Sequence, residues 1–500
     1  MKPYGIVGFT RDIYNPDRLQ ADYDGGVDIF YRITSNLVSS TTINTDFAET
    51  EADARQINLT RFALFYPEKR SFFLEDAGIF EFAKAPPMGP PDMNMGGDIV
   101  PFFSRRIGLV GNTEVPIRVG QKLTGKVGRF DVGLLDVQTG RYDEEESDGQ
   151  HYASKNLFAG RVKANFLSQS YVGALFTNGD PNGLTGSQTA GIDLKLATSD
   201  FMSSGKNLSL MLFGSRNFST DYDKHNNAYG GTISYPNDLI EFEYKWVHIG
   251  ENYNPALGFV PRQGVRISSV TAEVSPRPEA WNIRQMAFEV SYTDYFNLAR
   301  QDWETKELRV NPLRIDLNSG DLVGYDYTRN EERLFESWLI NPSNNIVLPA
   351  GDYTFGAHKF FFFTSQSRPF SIHADFGTGS FYSGTRHQLG GEFVWRKDNH
   401  LTTSFNYDRN WIRLPEGDFD TSLMMFRLDY AFTPFISLAN LMQYDTDSRN
   451  IGLQSRLRWI LQPGNEFFVV LNHNWQEDEF DRFESALTRF RVKLNYTFRF

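Results

Sequence analysis

Residues 488–500 read T-R-F-R-V-K-L-N-Y-T-F-R-F. Taken at every second position they separate into Phe490, Val492, Leu494, Tyr496, Phe498 and Phe500 on one side, and Arg489, Arg491, Lys493, Asn495, Thr497 and Arg499 on the other. Side chains of a strand point to alternate faces, so this stretch has one apolar face and one polar, basic face. An arginine or lysine turned to hydrocarbon near a bilayer midplane costs about 2–4 kcal/mol. The apolar face is therefore the one expected to meet lipid, with the cations lining an enclosed interior.

The same alternation recurs upstream. Ile240, Phe242, Tyr244 and Trp246 alternate with Glu241, Glu243 and Lys245, and Leu401, Thr403, Phe405, Tyr407 and Trp411 alternate with Thr402, Ser404, Asn406, Asp408 and Asn410. Val115, Ile117, Val119 and Leu123 oppose Arg118, Lys122 and Lys126, while Ile451, Leu453, Leu457 and Trp459 oppose Gln454, Arg456 and Arg458. Each run has about ten residues, the length a tilted strand needs to cross a membrane. The longest aromatic burst, 360–363, is far short of the roughly 18 apolar residues of a spanning helix.

Short connections (365–369, 397–399, 433–434, 462–465) alternate with long polar ones (141–149, 333–350, 476–483). That asymmetry belongs to an outer-membrane barrel, whose short turns face the periplasm. Counting back from residue 500 predicts an all-β fold: a single large antiparallel transmembrane barrel of about 24 strands, within a range of about 20–26, even-numbered as single-chain bacterial barrels are. Trp246, Trp411, Trp459 and Tyr496, near strand ends, are the expected interfacial anchors.

Composition agrees. Aromatic residues reach 15 % although charged residues reach 22 %, which suits a barrel that displays aromatics outward and keeps polar groups inside. The absence of cysteine removes disulfides, thiolate metal sites and cysteine nucleophiles together. A net charge of −12 gives no reason to expect nucleic acid. The eight histidines are scattered without zinc-motif spacing, and neither a G-x-S-x-G elbow nor a phosphate-binding loop occurs. No catalytic residue, metal or cofactor is assigned, and enzymatic activity is not expected. The acidic run at 143–148 reads as a solvated loop rather than a calcium site.

Residues 1–25 are expected to be a periplasmic lead-in and 26–500 the barrel. The opening M-K-P-Y-G-I-V-G-F-T-R-D holds no apolar core of signal-peptide length, so an exported form is expected to be mature or shortened. If the first strands are 26–34 and 37–48 and the next is 102–109, residues 49–101 leave and return on the periplasmic side. About fifty residues is too long for a turn. The aromatic content of 51–82 and the prolines of 85–97 leave two placements open, a plug inside the lumen or a flap under the rim. A lumen wider than about twenty strands leaks unless filled, which favours the plug. Glu68, Lys69, Arg70 and Glu75 are candidates to latch it to the wall.

Within this region, I-N-T-D-F-A-E-T-E-A-D, then N-L-T-R-F-A-L-F-Y-P-E-K-R-S-F-F-L-E-D-A-G-I-F, with K-P-Y-G at 2–5 and T-R-D at 10–12, resembles a family of outer-membrane barrel domains of unknown function. Members of that family often follow a module like the family-nine carbohydrate-binding modules, which this sequence lacks. The resemblance implies a Gram-negative outer-membrane location and a polysaccharide context, and it supplies no catalytic residues. With both termini periplasmic, the expected partners are the lipid bilayer and lipopolysaccharide, the barrel-assembly machinery through the C-terminal strand, and a carbohydrate or other small solute. A gated pore for such a solute leads. A membrane anchor for carbohydrate processing and a non-conducting scaffold are the alternatives.

Overall fold

The computed structural model describes all residues except 13–14, 46, 48–49, 85–97, 112, 144–150, 184–186, 220–223, 279, 479 and 500. The barrel opens with β1 (Lys2–Asp12), β2 (Asn15–Thr34) and β3 (Leu37–Thr45), then resumes with β4 (Ile117–Val127), β5 (Phe130–Thr139), β6 (Asn156–Phe166), β7 (Ser170–Asn178) and β8 (Ser187–Thr198). It continues through β9 (Leu208–Ser219), β10 (Asn227–Pro236), β11 (Ile240–Ile249), β12 (Val265–Val274), β13 (Ile283–Asn297), β14 (Asp302–Leu317), β15 (Leu322–Leu334) and β16 (Gly351–Phe363). The last third is β17 (Phe370–Phe381), β18 (Gly384–Lys397), β19 (Leu401–Leu414), β20 (Gly417–Thr433), β21 (Ile436–Asp445), β22 (Asn450–Gln462), β23 (Asn465–Glu477) and β24 (Phe483–Asn495).

These strands form one 24-stranded sheet in which neighbours in the chain pair antiparallel. Pairing of β1 with β24 closes it into a ring without edges. At this seam Phe9 stacks on Phe490 at 5.3 Å between ring centroids. Gly8 lies opposite Arg491, and a Cβ there would stand 2.4 Å from the carbonyl oxygen of Phe490. Across that gap the Arg491 guanidinium reaches Asp22 on β2 at 2.9 Å.

Two expectations are corrected here. Residues 1–25 are not a lead-in, because β1 and the first half of β2 are barrel wall. Residues 102–109 supply no barrel strand; they hold a short helical turn, Ser104–Arg106, and the wall resumes at Ile117. The pairing also places the insertion. One rim carries both chain ends and turns such as 35–36, 128–129 and 463–464, while the other carries 250–264 and 335–350. Thr45 pairs with Ile117, and Ile117 with Thr139, so the segment 46–116 springs from the long-loop rim. It does not start from the rim of the termini, where the sequence reading put it.

Leu134, Phe176, Leu212, Phe242, Phe376, Phe405, Phe426 and Leu494 are among the large apolar side chains exposed on the outer face. Water-soluble monomers rarely expose more than a few hundred Å² of contiguous apolar surface. A ring of such residues on strands all around the barrel marks it as transmembrane. In the opposite register positions the wall buries polar groups, among them Lys122, Asp193, Asp326, Asn410, Gln443 and Lys493. At β4 a bulge between Ile117 and Val119 interrupts the alternation. Ile117 consequently joins the interior core with Leu135 and Phe72, and Arg118 lies exposed at the rim beside Asn44 rather than in the lumen.

Candidate functional site: the barrel interior and the inserted segment

The inserted segment meets inward-facing groups on strands spread around most of the ring. Glu51 pairs with Arg427 on β20. The Ala52 amide donates to Gln454 Oε1 of β22 at 2.8 Å, and the Arg55 amide to Gln443 Oε1 of β21 at 2.8 Å. The Arg55 guanidinium reaches Asp445 at 2.9 Å. Arg61 bridges Glu304 of β14 (2.9 Å) and Glu332 of β15 (3.2 Å). Next to it, Arg262 from the 250–264 loop is sandwiched between the rings of Phe62 (3.4 Å) and Tyr295 (3.9 Å), a desolvated cation–π stack. On the far side Lys122 Nζ donates to the carbonyls of Phe72 (2.6 Å) and Glu75 (2.7 Å), Thr124 donates to Asp76 at 2.6 Å, and Lys245 of β11 pairs with Asp98 at 2.9 Å. Phe72, Phe73 and Phe80 sit in one core with wall residues of β4–β6, and Phe82 and Ile99 in another with residues of β7 and β10–β12.

The most buried charges belong to this arrangement. Arg161 of β6 and Asp193 of β8, both with wholly inaccessible side chains, form two parallel hydrogen bonds of 2.6 and 2.7 Å. They meet across β7 at Gly173, where a Cβ would stand 2.5 Å from Asp193 Oδ1. Tyr171 (3.2 Å) and the amide of Ala83 (3.0 Å) also donate to Asp193 Oδ2, so the inserted segment depends on the wall pair.

Among the described residues, Glu75 is the one latch candidate that touches the wall, through Lys122. Glu68 accepts hydrogen bonds from the Arg70 amide (2.9 Å), Arg70 Nε (2.8 Å) and Ser104 (2.8 Å), and Arg70 donates onward to the carbonyls of Ile107 and Ser104. Lys69 Nζ donates to Ala52 O at 2.7 Å. Glu68, Lys69 and Arg70 thus tie the segment to itself. Glu68 and Arg70 are two residues apart and close on each other rather than on the wall.

Burial alone would raise the Glu68 carboxyl, but the Arg70 side chain, the Arg70 amide and Ser104 hold it below its ordinary value. With the folded value depressed, the ionised cluster stabilises the segment above the ordinary glutamate pKa of about 4.3, and that contribution is lost as pH falls through the lowered value. Amide protection over residues 66–75, corrected for intrinsic exchange, is expected to fall as the pH drops below the ordinary glutamate value of about 4.3. In Glu68→Gln it should already be low at pH 7 and insensitive to acid.

The remaining sequence-predicted residues are dispersed along the wall. Lys126 lies exposed beside the 128–129 turn. Arg456 and Arg489 are half-buried on inward positions, Arg458 binds Glu466 (3.0 Å), Lys493 is buried over the Tyr4 ring (4.5 Å), and Arg499 donates to the Pro463 carbonyl (3.2 Å). On outward positions, Trp246 packs near Tyr229 (5.8 Å), Trp411 lies beneath Arg409 (5.1 Å), Phe490 and Val492 are half-buried, and Trp459, Leu494, Tyr496 and Phe498 are exposed. Phe500 and most of the acidic run lie outside the described residues. The polar ring made by Glu51, Arg55, Arg61, Asp98, Arg161 and Asp193 was not singled out from the sequence; their partners stand up to 395 positions away.

The 335–350 loop forms a second inward element. Its hairpin, Trp338–Asn341 with Ile346–Leu348, packs Ile340, Ile346 and Leu348 against Phe355, Phe381, Ile412, Leu414 and Phe419 at the long-loop mouth. Leu59 of the inserted segment joins that cluster.

Residues 1–115 match the model of a domain of unknown function, DUF5916. No curated protein sequence matches the chain. Among solved structures, the chain is similar to the siderophore receptor PirA from Pseudomonas aeruginosa, with 7 % identity over 100 % of this chain and 80 % of that one and a TM-score of 0.48. It is similar also to BauA, the ferric preacinetobactin receptor from Acinetobacter baumannii (9 % identity, 99 % and 80 % covered, TM-score 0.40). The KdgM porin in complex with disordered oligogalacturonate matches 39 % of this chain and 92 % of its own, at 13 % identity and a TM-score of 0.17.

Proposed function

We propose that the chain is an outer-membrane pore for uptake of a small solute, with the inserted segment as its plug and the rim of short turns and chain ends facing the periplasm. The observation that carries this reading is the ring of contacts from one segment to β4, β8, β11, β14, β15 and β20–β22, strands on widely separated arcs of the barrel. A segment hung from one rim reaches all of them only through the lumen. A lumen of this width would leak small solutes if left unfilled. Polar contacts, rather than an uninterrupted apolar core, join much of the segment to the wall, so water can replace them when it moves.

Planar bilayers test the proposal. The full chain is expected to show little steady conductance, and a variant lacking residues 54–97 at least about tenfold more, since removal of the filling restores an aqueous channel. Equal conductance of both forms would overturn the plug; silence of both would overturn the pore.

A further inference from the structure

We infer that the inner faces of β16–β19 form a binding track for a neutral, hydroxyl-rich solute, with a station beside Phe363 and His373. This rests on the pore reading. Among the described residues, no hydrogen bond, ion pair or ring contact joins the inserted segment to these four strands; Leu59 meets them only at the mouth, in the cluster under the 335–350 hairpin. Two inward side chains here keep access to solvent, Lys359 at 43 % exposed and His373 at 31 %, where Arg161 and Asp193 across the barrel are wholly covered. Glycines at inward positions deepen the recess. The Phe361 ring lies over Gly324, and a Cβ at Gly390 would stand 2.6 Å from Asp375 Oδ1.

The station is a cavity of about 190 Å³ lined by Phe363, Ser371, His373, Glu392, Arg396 and Ser404, among others. Phe363 and His373 stack at 4.0 Å with 8° between their planes, an aromatic wall on which the apolar face of a sugar-like ring can lie. The Glu392 carboxylate has no hydrogen bond or ion pair among the described residues. One register row above, Asp375 is 7 % exposed and held within the wall, its Oδ2 3.4 Å from Lys359 Nζ and its Oδ1 3.4 Å from His373 Nε2. The half-buried, unfilled Glu392 carboxylate suits hydroxyl donors. Lys359, Arg386 and Arg396 are balanced by Asp375, Glu392 and Asp408, so the strip sets up no field of one sign to select a charged solute.

Because the chain has no cysteine, single cysteines report on this track. Ser404→Cys and Asn406→Cys would be made in the full chain reconstituted in liposomes, with Thr177→Cys, on a buried inward position of β7, as the reference. Cationic and anionic methanethiosulfonates are expected to modify residues 404 and 406 at rates within about threefold of each other, and residue 177 at least tenfold more slowly. Maltotriose should slow modification at 404 at least fivefold, and adding Glu392→Gln should abolish that protection. A tenfold preference for either charged reagent would overturn neutrality, and reactive cysteines that maltotriose leaves unprotected would overturn the binding station. Unreactive cysteines at both 404 and 406 would overturn the track, while the conductance of the variant lacking 54–97 decides the pore reading separately.

Discussion

Replacing Asp193 with alanine is expected to destabilise the folded barrel by about 3–5 kcal/mol, because it strands a buried guanidinium. Arg161 has no access to water and makes both of its carboxylate hydrogen bonds to this residue. The compact electrophoretic form should be lost at a lower temperature on heating in detergent. Asp193→Asn keeps an acceptor and should fall between. The double replacement Arg161→Met, Asp193→Leu separates the causes: buried ion pairs exchanged for apolar residues are often neutral or stabilising, so it should recover most of the loss. If the double variant is as unstable as Asp193→Ala, packing across Gly173 rather than the unpaired charge dominates.

That pair also shows where sequence reading stops. Period-two patterning made β24 legible, since Phe490 and Leu494 lie on the face opposite Lys493 and Asn495. The first strand was missed because it lacks that contrast: Tyr4 and Ile6 are buried inside while Val7 and Phe9 are exposed outside, so both faces are apolar. Omitting β1 while counting 102–109 leaves the total at 24 but inverts the direction of every strand between them. For that reason the insertion was assigned to the wrong rim although the barrel was right. The bulge before Val119 had a similar local effect, exchanging the surroundings of Ile117 and Arg118. Arg161 and Asp193 are 32 positions apart with a strand between them, and a linear pattern carries no mark of which charge crosses to which.

Removing both guanidinium anchors from the inserted segment, Arg55→Ala with Arg61→Ala, is expected to raise the open probability of the full chain in bilayers by about 10–100-fold. Arg55 fixes the segment to β21 through Asp445, and Arg61 fixes it to β14 and β15 through Glu304 and Glu332. Hydrogen bonds to charged groups contribute about 1.5–3 kcal/mol each, and about 1.4 kcal/mol is tenfold in an equilibrium, so even partial replacement by water shifts the seated state substantially. The two sites stand on separate arcs and share no partner, so their effects should add. By contrast, Lys69→Ala leaves these wall contacts in place and should change open probability far less, because Lys69 binds Ala52 within the segment itself. A larger effect from Lys69→Ala than from the double variant would mean that the segment's own fold, rather than its attachment to the wall, keeps the lumen closed.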